Sequence, residues 1–269
     1  DLNGDGNQDI LVVTCTQATT AVLLGLGNGS FAPPQTMNVS WQAGGLLVRD
    51  VNRDGKLDMI TTVPSQARVD VRLGVGDGSF GSVRSFAVGN APFALTSADL
   101  NGDGKLDVVV SNRDSSDFSS LLGNGDGTFK PELRDTLGGQ AIALAAADID
   151  QDGAPDLIAT FASELSSSDV RVFRGLKNGS FNLWLSQPVD SVPAAVAVAD
   201  LHNDGRADVF TISPQQDSAN VLLGHRVDGL APDAREIDCP NQDGKVAVGD
   251  IDADGKLDVI CPDASNQAL

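Results

Sequence analysis

One nine-residue string, rich in Asp and Gly, occurs six times at almost constant spacing, and this repeat constrains the fold more than any other feature. It reads DLNGDGNQD from Asp1, DVNRDGKLD from Asp50, DLNGDGKLD from Asp99, DIDQDGAPD from Asp148, DLHNDGRAD from Asp200 and DIDADGKLD from Asp250. The starts are 49, 49, 49, 52 and 50 residues apart. Periods of this length are the signature of a repeat architecture in which each unit buries its faces against its neighbours.

The text between the strings repeats as well. A short apolar segment precedes each of the last five copies (LLVR, LTSA, ALAAA, AVAVA, VAVG), and another follows every copy (ILVVT, MITTV, VVVSN, LIATF, VFTIS, VICP). These runs are short, largely β-branched or small, and bounded by turn residues, so they read as buried strands. A third strand follows (AVLLGLG, VDVRLGV, SSLLG, VRVFRG, NVLLG), then a Gly-rich turn ending in Phe31, Phe80, Phe129 or Phe181, which decays to Leu230 in the fifth copy. A weaker fourth strand closes each unit. Four short antiparallel strands in about 50 residues, repeated, predict an all-β fold of β-propeller blades over a single domain, residues 1–269. A calcium β-helix fails on its nine-residue period.

The ends predict an incomplete first unit of three strands and an incomplete last unit of two, one before and one after the last string, with four units of four between them. Three explanations stay open: a segment of a longer chain, which is favoured, a ring closed by strands from both ends, or a trimmed product. A six- or seven-bladed ring fits the period.

Composition sharpens the chemistry. The formal net charge is −19, with 37 acids against 18 Lys plus Arg, and 20 of the 34 Asp lie inside the six strings. Such a charge excludes nucleic-acid binding as the main role, and no run of about 18 apolar residues is present to insert into a membrane. Oxygen-bearing side chains fall at positions 1, 3, 5 and 9, Gly is fixed at position 6, and the carbonyl at position 7 is placed to turn inward. That pattern is a cage for a hard cation such as Ca²⁺, which takes six to eight oxygens. The candidate ligands are Asp1, Asn3, Asp5, Asn7 and Asp9; Asp50, Asn52, Asp54, Lys56 and Asp58; and Asp99, Asn101, Asp103, Lys105 and Asp107. The later copies supply Asp148, Asp150, Asp152, Ala154 and Asp156; Asp200, Asp204, Arg206 and Asp208; and Asp250, Asp252, Asp254, Lys256 and Asp258. Position 7 is counted for its backbone oxygen only. Up to six Ca²⁺ are expected, the fifth site being weakest because His202 stands at position 3. Leu at position 8 (Leu57, Leu106, Leu257) is expected to anchor the loop. An EF-hand is excluded because position 12 is never Glu and the flanks are strands.

DLNGDGKLD between two strands, followed by LLGNGDGTF, resembles the FG-GAP/VCBS repeat of integrin α-subunit propellers and their bacterial and fungal relatives, and Phe80-Gly81 with Gly89-Asn90-Ala91-Pro92 is similar to the pattern that names it. The resemblance implies Ca²⁺ in the hairpin between strands 1 and 2 of each blade and, as in integrins, a ligand at the loops of the opposite face. An extracellular, secreted or cell-surface module without catalysis is therefore expected, with a glycan or an extracellular protein as partner in a lectin or adhesion role. The alternative is an accessory domain of a secreted polysaccharide-degrading enzyme.

Little else points to catalysis. His202 and His225 occupy unrelated places, and Asp114, Asp117, Glu164 and Asp169 are the acids outside the strings placed for acid–base work. Cys15, Cys239 and Cys261 allow one disulfide in three alternative pairings, of which Cys239–Cys261 is preferred, or free thiols. Sequons stand at Asn28, Asn38 and Asn178. Trp41 and Trp184 fit either a sugar platform or packing between blades, and the four recurring Phe are expected between blades.

Overall fold

The computed structural model describes residues 1–14, 19–39, 44–161, 168–189, 193–201, 204–213, 218–225, 229–238, 247–249 and 258–260. Outside them lie Cys15, Cys239, Cys261, Trp41, Glu164, His202 and the sixth acidic string up to Leu257, so the expectations for these residues stand outside the described ones. The chain forms two compact units, Asp1–Asp99 with Asp103–Gly138, and Leu100–Gly102 with Gly139–Leu269.

Each repeat is a separate antiparallel meander. In the first unit, blade 1 has β1 (Ile10–Thr14), β2 (Thr19–Leu23) and β3 (Gln35–Asn38). Blade 2 has β4 (Leu46–Arg49), β5 (Asp58–Val63), β6 (Arg68–Gly74) and β7 (Phe80–Ala87), and blade 3 has β8 (Pro92–Ala98), β9 (Asp107–Asn112), β10 (Asp117–Leu121) and β11 (Leu133–Thr136). In the second unit, blade 4 comprises β12 (Ala141–Ala147), β13 (Asp156–Phe161), β14 (Asp169–Gly175) and β15 (Phe181–Pro188). Blade 5 comprises β16 (Ala195–Ala199), β17 (Asp208–Ser213), β18 (Ser218–His225) and β19 (Gly229–Asp238), and the two strands β20 (Ala247–Gly249) and β21 (Asp258–Ile260) begin a sixth. The sheets are blades of the β-propeller class, with the strand pattern read from the repeat.

Burial changes stepwise across a blade and explains the sequence of each strand. The second strands β5, β9 and β13 are buried along their whole length, as a strand covered on both faces is; each opens on a buried Asp, runs on through apolar residues and carries buried polar side chains toward its end. The first strands β8, β12 and β16 are half-buried almost throughout and rich in Ala, which lets neighbouring blades approach closely. The outer strands β7 and β11 are mostly exposed and polar. Thr62, Ser111 and Thr160, each 49 residues apart, turn a hydroxyl toward the preceding first strand: their oxygens accept the N–H of Gly45 (2.7 Å), Ala94 (3.1 Å) and Ala143 (3.2 Å). In blades 3 and 4 this replaces a ladder bond where the register shifts.

The apolar core lies between adjacent blades. In the first unit Val51, Ile60, Val69, Val71 and Val88 of blade 2 pack with Val108, Val110, Leu121 and Phe129 of blade 3. In the second, Ile149, Ile158, Val170, Val172 and Val189 of blade 4 pack with Val209 and Leu222 of blade 5. Phe129 meets Phe86 edge-to-face with ring centroids 5.2 Å apart, and Phe181 is buried as expected. Phe80 is only half-buried, and Phe31 departs from the expectation at 40% exposure. The reason is that in blades 2 and 3 the turn between strands 3 and 4 leans on the preceding blade, Gly78 against Leu24 and Gly127 against Leu73, and no blade precedes blade 1 among the described residues of its unit. Trp184 packs against the second core cluster.

One glycine per blade is fixed by close approach. A Cβ on Gly25, Gly74, Gly123 or Gly175, all on or next to the third strand, would lie 2.2 Å from the carbonyl oxygen of the eighth loop residue (Gln8, Leu57, Leu106, Pro155). Gly74→Ala should therefore cost about 2–3 kcal/mol in urea unfolding, while Val75→Ala at the exposed neighbouring position should be nearly neutral; equal effects would contradict this packing.

Candidate metal loops

The ninth-position Asp does more than the sequence reading assigned to it. In blades 1, 2, 4 and 5 one carboxylate oxygen accepts the N–H of loop position 2 and the other accepts the N–H of the third-strand glycine, and in blade 3 Asp107 accepts the glycine N–H. Asp58 bonds Val51 at 2.9 Å and Gly74 at 2.8 Å. Asp156 bonds Ile149 and Gly175, both at 2.9 Å, and Asp208 bonds Leu201 at 2.9 Å and Gly224 at 2.8 Å. Asp9 bonds Leu2 at 2.6 Å and Gly25 at 2.7 Å, and Asp107 bonds Gly123 at 2.7 Å. The carboxylate thus ties the hairpin between strands 1 and 2 to strand 3, and it is fully buried at Asp58, Asp107 and Asp156. The close glycine approach is what brings that N–H within reach.

The other positions build an inward-turned loop. The first Asp accepts the N–H groups of positions 5 and 6: Asp99 from Asp103 (3.1 Å) and Gly104 (2.7 Å), Asp148 from Asp152 (3.1 Å) and Gly153 (2.9 Å), Asp200 from Asp204 (3.1 Å) and Gly205 (2.8 Å). The fifth-position Asp accepts the N–H of position 7, from Asn7, Lys56, Lys105, Ala154 and Arg206. Gly at position 6 holds a left-handed φ of 78–85° in all five loops, which fixes the residue type there. The anchor missed from sequence is position 2, where Leu2, Val51, Leu100 and Ile149 are buried. It is apolar in all six copies, so the signal was present. The expected anchor Leu57 is only half-buried, while Leu106 packs against the first core cluster.

The donor set fits a hard cation. Among the described residues, positions 1, 3, 5 and 9 of the loops are all Asp or Asn, and a carboxylate that accepts two N–H bonds keeps further lone pairs. Among the described residues, the fourth loop brings one oxygen each of Asp148, Asp150 and Asp156 within 4.8 Å of one another, a cluster that could hold a metal ion. Asn3 and Asn52 instead donate to Asp5 (3.0 Å) and Asp54 (3.1 Å) of their own loops.

Of the acids proposed for acid–base work, Glu164 lies outside the described residues. Asp114 is exposed, Asp117 accepts from Asn112 (2.8 Å) and Ser115 (2.9 Å) and pairs with Arg134, and Asp169 pairs with Arg171 (2.7 Å) and Ser186 (2.8 Å). The sequon residues Asn28 and Asn178 accept the N–H of Ser30 (3.0 Å) and Ser180 (2.9 Å) within their turns.

Electrostatics separates structural from surface carboxylates. Burial raises Asp58 and Asp156 above the ordinary value of 3.8, against the backbone N–H bonds that lower them. The hydroxyls of Ser79 and Thr128 lower Asp77 and Asp126 in the turns between strands 3 and 4. The raised groups bind protons more readily folded than unfolded, so their contribution falls as pH rises from 3.8 through their folded values and is flat above. With divalent ions chelated, urea midpoints of the wild type and of Asp58→Asn/Asp156→Asn should differ in slope over that window, the wild type losing more stability as pH rises. Parallel profiles would contradict it.

Comparison with known proteins agrees with the geometry. The FG-GAP-like repeat matches over residues 1–61, 50–110 and 99–159, more than half of the chain, while no curated protein matches. Among solved structures, an Agrocybe aegerita lectin that recognises non-reducing terminal N-acetylglucosamine superposes with a TM-score of 0.64 at 22% identity, covering 96% of this chain and 72% of its own. A 6-phosphogluconolactonase, so assigned, from Bacteroides uniformis gives 0.66 at 15% identity over 87% and 69%, and the periplasmic gluconolactonase of Pseudomonas aeruginosa gives 0.58 at 17% over 88% and 69%. These likenesses are of fold. They correct the expectation of a chain without catalysis: lactonases stand among the neighbours, so the architecture does not exclude an enzyme. No helix among the described residues is long and apolar enough to cross a membrane. With three consecutive matches on the loops and strands just described, the chain belongs to the FG-GAP-like repeat family.

Proposed function

We propose that the chain is an extracellular, calcium-stabilised module that binds carbohydrate through the loops at the blade ends opposite the acidic strings. The observation that carries the calcium part is the recurrence, in blades 1 to 4, of one loop whose residues at positions 1, 3, 5 and 9 are oxygen-bearing and held in place by backbone N–H bonds. In each blade, the residues at positions 1, 3, 5 and 9, with the carbonyl at position 7, would hold the ion. Calcium supplies there the positive charge that offsets crowded carboxylates. Up to six ions are proposed, one per string, with Asp200, Asp204 and Asp208 the weakest set.

Recognition is assigned to the opposite ends because they differ between blades while the acidic loops do not. In blade 2 that end carries a short 3-10 turn, Pro64–Gln66, closed by Ala67 in the left-handed region. In blade 3 the Arg113 guanidinium stacks 3.5 Å from the centroid of Phe93, with exposed Asn90 and Asp114 nearby in sequence. Polar side chains around a ring face are the chemistry that holds sugars, and the lectin neighbour directs the choice of glycans as the first ligand class to test.

Two measurements check this reading. At ten times the Kd each ion adds about 1.4 kcal/mol of stability, so EDTA should lower Tm markedly, Ca²⁺ but not Mg²⁺ should restore it, and Asp103→Ala should remove part of the restoration. An EDTA melt identical to the Ca²⁺ melt would contradict the calcium part. On a glycan array in Ca²⁺ the intact chain should retain a defined set of sugars, and a blank array with folded protein would contradict the carbohydrate part.

A further inference from the structure

The fourth acidic loop differs from the first three in charge. Its position 3 is Asp150, where the others have Asn3, Asn52 and Asn101, so it carries one more carboxylate. Its third strand differs too. The residue before the close-approach glycine is Leu24, Leu73, Leu122 and Leu223 in the other described blades but Arg174 in blade 4. The two departures meet: Arg174 Nε lies 2.6 Å from Asp150 Oδ2. Behind it, the guanidinium carbon stands 4.4 Å from the centroid of the Trp184 ring, and Trp184 is seated against the second core cluster. The cation is therefore held between an aromatic face and the extra carboxylate.

We propose that Arg174 is a built-in cation of the fourth loop, which offsets the additional charge of Asp150 and sets the divalent-ion affinity of this loop below what its four carboxylates would otherwise give. The affinity half rests on reading the loops as calcium sites, and the charge-offset half does not. Asp148, Asp150, Asp152 and Asp156 repel one another across a few ångströms. A guanidinium against Asp150 lowers that repulsion when no ion is bound, so the hairpin keeps its form. The same positive charge opposes an entering divalent ion and competes for the carboxylate they would share. Trp184 is the support that keeps Arg174 in place. In blades 2 and 3, Leu73 and Leu122 bring no such charge to the loop.

The experiment uses the intact chain with Tb³⁺ as probe, because Trp184 lies beside the loop and can sensitise terbium emission. Trp184→Phe identifies the fourth-loop signal as the part it abolishes. Arg174→Leu should strengthen terbium binding at that site by about tenfold, the effect of one unit charge near a multivalent ion, and Ca²⁺ should be correspondingly harder to displace; Arg174→Lys should stay near wild type. In EDTA, Arg174→Leu should lower Tm, and it should do so far less in an Asp150→Asn background, since the coupling is between those two side chains. Terbium affinity unchanged or weakened in Arg174→Leu would overturn the affinity claim, while no terbium binding in any variant would overturn it together with the calcium reading. Equal losses of Tm in both backgrounds would overturn the charge offset.

Discussion

The fold of the described blades depends on a carboxylate at the ninth loop position that accepts the N–H of the third-strand glycine and, in four of them, an N–H of its own loop. Asp58, Asp107, Asp156 and Asp208 are almost completely removed from water, a placement that is costly unless both oxygens are satisfied. Asp58, Asp156 and Asp208 are satisfied by a loop N–H and by the N–H of the third-strand glycine, and Asp107 accepts the N–H of Gly123. The glycine is obligatory because its neighbour is a carbonyl 2.2 Å from where a Cβ would stand in four of the blades. One ionic contact thus fixes the path of the acidic loop, the approach of strand 3 and the identity of a residue about 16 positions away.

From this staple the rest follows. With the ninth position fixed, the apolar residue at position 2 enters the core between blades, and positions 1, 3 and 5 are left facing one another at the loop surface. The inter-blade clusters, built from second and third strands, provide the dry setting that makes the staple strong. The loops concentrate negative charge where only local N–H bonds and a few cations oppose it. Lys105 pairs with Asp103 at 3.2 Å in blade 3, and in blade 4 Arg174 takes Asp150 while Lys177 donates to the Asp152 carbonyl at 2.7 Å. A divalent ion in each loop would offset the remainder, which is how a chain of net charge −19 can fold around clustered Asp.

Much of this was legible in the sequence because a repeat displays its constraints several times. Strand order, the blade class and the loop positions all came from comparing copies. The second role of the ninth Asp was not legible, because an Asp in an acidic string reads as one more ligand; its partner glycine, present in every third strand, carried the signal unrecognised. Phe31 was read as a core residue from its equivalence to Phe129, yet it is 40% exposed, because among the described residues of its unit no blade stands to it as blade 2 stands to Phe129. Arg174 showed only as a departure from Leu. Its meaning needed the distance to Asp150, a residue of the acidic loop 24 positions earlier in the chain.

The central claim is that these loops hold divalent cations while the ninth carboxylate stays bonded to the backbone. Anomalous difference density from crystals grown in Ca²⁺ tests it most directly. The account predicts peaks within the loops at Asp1, Asp50, Asp99 and Asp148, with Asp58 and Asp156 still accepting from Gly74 and Gly175. Loops without peaks at saturating Ca²⁺, or ninth carboxylates swung away from those glycines, would contradict it.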